Sequence, residues 1–151
     1  MVRKEYVFKD VYDVILGGAC RKWYAVAYYP KLQRIERVGV SLTEQSDILI
    51  DHLPRTGYSY ATYQPHEYGK ELLILKDDIY PFWEAMFLDK EKYYKVLFLG
   101  TGEVHETKVK IVPSGVGVNF ELEYKETGKK VYYSRESYDS EFVVIKCTEK
   151  K

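Results

Sequence analysis

From Tyr93 onward the chain is cut by turn residues into stretches of five to ten, a spacing that leaves room for little besides short antiparallel strands. Val104–Val112 alternates most cleanly. Val104, Glu106, Lys108 and Lys110 fall on one face, and His105, Thr107, Val109 and Ile111 on the other. Gly100-Thr-Gly102, Pro113-Ser-Gly115 and Glu126-Thr-Gly128-Lys129 supply the turns. Five strands are predicted: 93–99, 104–112, 116–125, 131–135 and 141–147. Turns this short make a nearest-neighbour meander the default, with closure into a small SH3-like or OB-like barrel as the alternative.

The first 92 residues read as a mixture. Tyr6–Gly18 has a loose strand pattern ending in a diglycine. Trp23–Tyr29, the punctuator Pro30-Lys31 and Gln33–Val40 read as a hairpin with Ile35 and Val38 facing inward. Ser41-Leu-Thr-Glu44 has the form of a capping box, so a helix is predicted over Leu42–Leu53, stopped by Pro54. Tyr58–Tyr63 is a short strand. Asp77-Asp78 and the early Pro81 suit the start of a second helix over Ile79–Lys92, whose Phe82, Trp83, Met86 and Phe87 form an apolar face that must be covered. The fold class expected is therefore α+β: an N-terminal hairpin and two helices on a mainly antiparallel sheet, with a C-terminal five-stranded meander. One domain over 1–151 fits the length, with a subdivision into 1–92 and 93–151 as the alternative. No internal repeat is evident.

Composition narrows the class of function. The 46% hydrophobic and 30% charged content is that of a globular chain, and the 16 tyrosines suit strands and binding surfaces. Formal net charge is zero, unevenly spread: +4 over residues 1–40, −5 over 41–90 and +1 over 91–151. No domain-wide basic excess points to nucleic acid. Cys20 and Cys147 form no metal-type spacing and read as free thiols. With no leader-like or membrane-length apolar run, a cytoplasmic location without membrane contact is expected. One Asn against abundant Lys and Glu is the composition of a protein from a thermophile, or from a virus of one.

Motifs that carry chemistry are sparse. A Glu-x-Lys pair on a strand puts a carboxylate and an ammonium on one face, as Mg²⁺-dependent nucleases require. Glu123-Tyr-Lys125 has that spacing, Glu121 shares its face, and Glu84 on the predicted helix is a third carboxylate. The order of helix Glu, then strand Glu-x-Lys, resembles the restriction-endonuclease-like fold, without the Asp one strand earlier. Cross-strand charge pairing is the simpler account of the same pattern. His52, His66 and His105 share no metal-ligand spacing, and nucleophile signatures are absent.

Three readings result. The first is a non-catalytic protein that binds another protein through a Tyr-rich sheet surface or an edge strand. The second is a nucleic-acid binder, with Arg21, Lys22, Lys31, Arg34 and Arg37 gripping phosphate beside stacking tyrosines. The third is a nuclease built on Glu84, Glu121, Glu123 and Lys125, the one reading that calls for a cofactor, Mg²⁺. The oligomeric state is left open.

Overall fold

Period-two patterning becomes antiparallel sheet over most of the described residues, and α-helix among them is confined to two short segments. The structure, a computed structural model, describes residues 7–16, 23–52, 59–115 and 117–146. Internal packing divides the chain into two compact units, with the boundary between Asp77 and Asp78.

The first unit begins with a bridge between Phe8 and Leu75 and the short helix α1 (Val11–Leu16). Strands β1 (Trp23–Tyr29), β2 (Arg34–Leu42), β3 (Ile48–His52) and β4 (Ser59–Tyr63) follow. A 3-10 turn at Pro65–Glu67 leads to β5 (Leu73–Ile74). The sheet order is β4-β3-β2-β1-β5. Its core gathers Val14, Ala27, Tyr29, Val38, Val40, Ile48, Ile50, Leu72 and Ile74. The second unit repeats the plan. Strand β6 (Asp78–Ile79) and the one-turn helix α2 (Phe82–Ala85) precede β7 (Tyr93–Phe98), β8 (Val104–Ser114), β9 (Gly117–Tyr124) and β10 (Lys130–Ser134). A 3-10 turn at Arg135–Ser137 then leads to β11 (Phe142–Lys146), in the order β10-β9-β8-β7-β11-β6. Its core is aromatic: the Phe120 ring lies 5.3 Å from Phe142 and 5.8 Å from Tyr138.

The repetition extends to single atoms. Tyr63-x4-Tyr68-x2-Glu71 followed by four apolar residues and Lys76 matches Tyr133-x4-Tyr138-x2-Glu141 and Lys146, an offset of 70. Tyr68 donates its hydroxyl to the Lys9 carbonyl and accepts the Ile74 N–H. Tyr138 does the same with the Tyr80 carbonyl and the Val144 N–H. The residue after each tyrosine has positive φ, Gly69 at 96° and Asp139 at 76°. A left-handed conformation is cheap for Gly and tolerated by Asp. Strand registers carry the equivalence across each sheet. Ile74 pairs with Ala27 and Val144 with Val96, so Tyr24 corresponds to Tyr93. The four-strand ladders then align Val38 with Thr107, Gly39 with Lys108, Ile50 with Leu122 and Asp51 with Glu123.

Several expectations are corrected. The chain is mostly antiparallel β with two short helices, and the sheets are not closed into a barrel: β4 ends one and β10 the other. The C-terminal meander holds for four strands, but β11 returns to pair with β7 rather than β10. The helix predicted over 42–53 is instead the β2–β3 hairpin. Ile48 and Ile50 both enter the core at strand period, and Thr43 closes the turn by accepting the Asp47 N–H at its Oγ1. The helix predicted over 79–92 shrinks to one turn, because Ile79 pairs with Ile145 and Pro81 stands at its N-cap. Part of the loose strand at 6–18 is helical instead, with the Asp10 carboxylate accepting the Asp13 N–H at 2.8 Å. Ile35 and Val38, three residues apart, lie on opposite faces of β2, and Val38 with Val40 forms the anchor.

Candidate functional site

The acidic strand β9 sits inside a charge ladder. Pairing places Glu123 between Lys130 and Lys108, and Glu121 between Tyr132 and Lys110. Glu121 is buried; it accepts the Tyr132 hydroxyl at 2.8 Å and lies 3.9 Å from both Lys110 and Lys130. Hydrogen bonding to that carboxylate is the main cause raising the Tyr132 pKa. Lys130 is also 4.0 Å from Glu123. These residues, with Lys90 and Glu91, line an open dent of about 170 Å³.

The four residues of the nuclease reading are not gathered there. Glu121 and Glu123 share the dent. Lys125 pairs with Glu106 at 3.6 Å and lies over the Tyr93 ring, and Glu84 pairs with Lys146 at 3.5 Å. Among the described residues no group of three or more His, Cys, Asp or Glu is placed to hold a metal ion. Neighbouring lysines at this range give the ladder's carboxylates cross-strand electrostatic partners.

The basic hairpin is partly neutralised from within. Lys31 pairs with Glu71, and Arg34 lies 3.4 Å from Glu36. Glu36 also accepts the Tyr29 hydroxyl at 3.3 Å. Burial, and then the charge of Glu36, push the Tyr29 pKa upward. Arg37 is exposed on β2 and has interactions of its own. Arg21, Lys22, Cys20 and Cys147 lie outside the described residues. His105 packs between Phe98 and Tyr124, with its Nε2 3.3 Å from Glu103, and His66 is exposed on the 3-10 turn.

Exposed apolar side chains are the feature that both units share. Lys9 and Tyr80 each donate a backbone N–H to the last strand of their unit, at Ile74 and Val144, so they are equivalent positions. Three residues further on stand Tyr12 and Trp83, and four beyond these Leu16 and Phe87. Tyr12 and Leu16 are 71% and 68% exposed, and Trp83 and Phe87 65% and 82%. Between them Val14 and its counterpart Ala85 are buried. Phe82 turns inward instead, 6.1 Å from Phe120. The predicted apolar face of 79–92 is thus split, half core and half surface. Sequence reasoning passed over Tyr12 and Leu16; the repeated Tyr-x4-Tyr-x2-Glu segments point to the duplication at an offset of 70, and the equivalent backbone bonds of Lys9 and Tyr80 place these pairs at an offset of 71.

No known family model matches this chain, and no curated protein or solved structure does so either.

Proposed function

We propose that the chain is a non-catalytic interaction protein that binds another protein through exposed aromatic and apolar side chains on its β-rich units. The observation that carries this reading is the pair Tyr12/Leu16 and its counterpart Trp83/Phe87. Two copies that otherwise differ at most positions both keep a large apolar pair in water. Such side chains contribute nothing to the core, and their burial against a partner releases about 25 cal/mol per Å² of apolar surface. Aromatic residues are enriched at protein interfaces for that reason. The nuclease and nucleic-acid readings have less support, since Glu84, Glu121, Glu123 and Lys125 of the one and Lys31 and Arg34 of the other stand in ion pairs within their own units.

The test compares wild type with Trp83→Ser/Phe87→Ser and Tyr12→Ser/Leu16→Ser. A partner captured from host extract and then purified is titrated against each by calorimetry. At least a tenfold loss of affinity in one double variant, with circular dichroism unchanged, is the expected result. Unchanged affinity in both would sink the reading. So would shortening of labelled DNA or RNA that requires Mg²⁺ or Mn²⁺ and is abolished by Glu123→Ala.

A further inference from the structure

Strand β10 ends the sheet of the second unit and pairs with β9 alone. The phase of that pairing fixes which backbone groups stay outside. The Tyr124 N–H donates to the Lys129 carbonyl at 2.9 Å, so these two residues form a hydrogen-bonded pair. Alternation follows from it. Val131 and Tyr133 turn their backbone groups to β9, and Lys130, Tyr132 and Ser134 turn theirs away. On that outer side the N–H and C=O groups of Lys130 and Tyr132 make no hydrogen bond among the described residues. Ser134 keeps the backbone extended, with φ −67° and ψ 159°, before the 3-10 turn begins.

Edge strands are usually guarded by an outward lysine, a proline, a bulge or a covering loop. Strand β10 has no proline, and its register to β9 runs without a bulge over Lys130–Ser134. Its one charged side chain, Lys130, lies 3.9 Å from Glu121 and 4.0 Å from Glu123, so the ammonium is drawn back over β9. Tyr132 leans the same way, its hydroxyl donating to Glu121 at 2.8 Å. Both side chains keep these partners when another strand docks, because docking uses only the backbone. Lys130, Tyr132 and Ser134 are all exposed.

We propose that β10 is a self-association edge, pairing antiparallel with β10 of a second copy about a two-fold axis at Tyr132. The strand is complementary to its own reverse. Lys130 faces Ser134 of the other copy, Val131 faces Tyr133, and Tyr132 faces itself. This register uses all three outward residues and forms about six backbone hydrogen bonds, whereas a shift of two residues forms about four. No charge opposes a like charge within the strand. Arg135, next in line to face Lys129, leaves in the 3-10 turn with its Nε 3.5 Å from Glu136. Val131 and Tyr133, each half-buried in one copy, gain an aliphatic–aromatic contact on both sides of the axis. That self-match selects a second copy over an unrelated strand, and the pair is closed because each copy contributes the same edge. The surface is separate from Tyr12/Leu16 and Trp83/Phe87, and the proposal does not rest on them.

The experiment is sedimentation equilibrium of the full chain up to millimolar concentration, read beside amide hydrogen exchange. Wild type is expected to dimerise, with exchange at the Lys130 and Tyr132 amides slowing as concentration rises. Ser134→Glu sets a carboxylate opposite Lys130 of the other copy and is expected to tighten the dimer about threefold. Ser134→Lys sets like charges opposite each other and is expected to loosen it by about the same factor. Tyr132→Pro removes the central N–H from an edge where proline is tolerated, and is expected to abolish the dimer. Because that variant also loses its bond to Glu121, the two variants at the exposed Ser134 carry the decision. Trp83→Ser/Phe87→Ser is expected to dimerise as wild type does. A chain that stays monomeric throughout, equal constants for the two Ser134 variants, or a dimer whose Lys130 and Tyr132 amides exchange as in the monomer would overturn the proposal.

Discussion

At the residue scale, the duplication acts as an internal control on single side chains. Thr107 is buried in β8, and its Oγ1 has no hydrogen-bond partner among the described residues. The equivalent position in the first unit is Val38, which is fully buried in an apolar core. A buried hydroxyl without a partner costs about 1–3 kcal/mol, and valine has nearly the same shape. Thr107→Val is therefore expected to stabilise the protein by roughly 1 kcal/mol, read as a higher urea midpoint with an unchanged slope. Tyr68 makes a second case. Its hydroxyl bonds two backbone groups, and burial is the main cause pushing its pKa up to about 12. The folded state thus holds this proton more tightly than the unfolded state, where tyrosine ionises near pH 10. The stabilisation is complete below pH 10 and is lost as pH rises from 10 towards 12. The urea midpoint is expected to fall across that window. Tyr68→Phe should start lower, because two bonds are gone, and should fall less steeply. Parallel curves would show that another group governs the alkaline limb.

At the scale of elements, the ladder on β8, β9 and β10 separates a structural role for the acidic strand from a catalytic one. Glu121 is buried and contacted by a hydroxyl and two ammoniums, whereas Glu123 is half-exposed beside Lys130. Glu121→Ala is expected to cost about 1–3 kcal/mol by removing a hydrogen bond to a buried carboxylate and the packing of its stem. Glu123→Ala, like other exposed pairs, is expected to cost less than about 1 kcal/mol. Chemical denaturation of the two variants gives the comparison, and equal costs would mean that the ladder does not discriminate them. The same elements show what was legible beforehand. Strands β1, β2, β4 and β7 to β11 announced themselves through β-branched and aromatic runs bounded by turn residues, with clean alternation in β8, while β11 and the ends of β1 and β7 are buried on both faces. The predicted helix at 42–53 failed because Leu42, Ile48, Leu49 and Leu53 fit helical spacing loosely, while Ile48 and Ile50 fit strand spacing and have a sheet to complete. Local capping chemistry at Ser41–Glu44 could not reveal the neighbouring strand that decides between them. The return of β11 to β7 was illegible for a similar reason: partner choice is set by the 3-10 turn at Arg135–Ser137, not by strand pattern. Of the candidate site residues, the ladder alternative for Glu121 and Glu123 was visible in the Glu/Lys alternation. The exposed pairs were not, because apolar residues near helical spacing read as core wherever the opposing surface is unknown.

At the scale of the whole molecule, two units of one plan have diverged in charge rather than in architecture. The Tyr68 and Tyr138 latches tie the segment opening each unit to its final strand: each hydroxyl donates to a carbonyl 59 or 58 residues upstream and accepts an N–H six residues downstream. Each latch therefore closes a unit upon itself. The hydroxyl-to-carbonyl bond holds the opening segment, and the N–H-to-hydroxyl bond holds the fifth strand, which otherwise rests on short pairings with the first strand of its meander and with the opening segment. Tyr138→Phe removes both bonds at once and leaves the Val144 N–H without its acceptor in a buried strand. Local opening of β11 is then expected before the meander of β7 to β10 opens, because the four-strand ladder carries far more backbone pairing. Hydrogen exchange resolved by peptide is the measurement. In Tyr138→Phe the largest loss of protection should fall on residues 142–146 and 78–80, and in Tyr68→Phe on residues 72–75 and 7–9. Loss spread evenly over both units in either variant would mean that the tyrosines do not latch their own units, and that the repeated hydrogen bonds are a likeness of geometry without an equal share in stability.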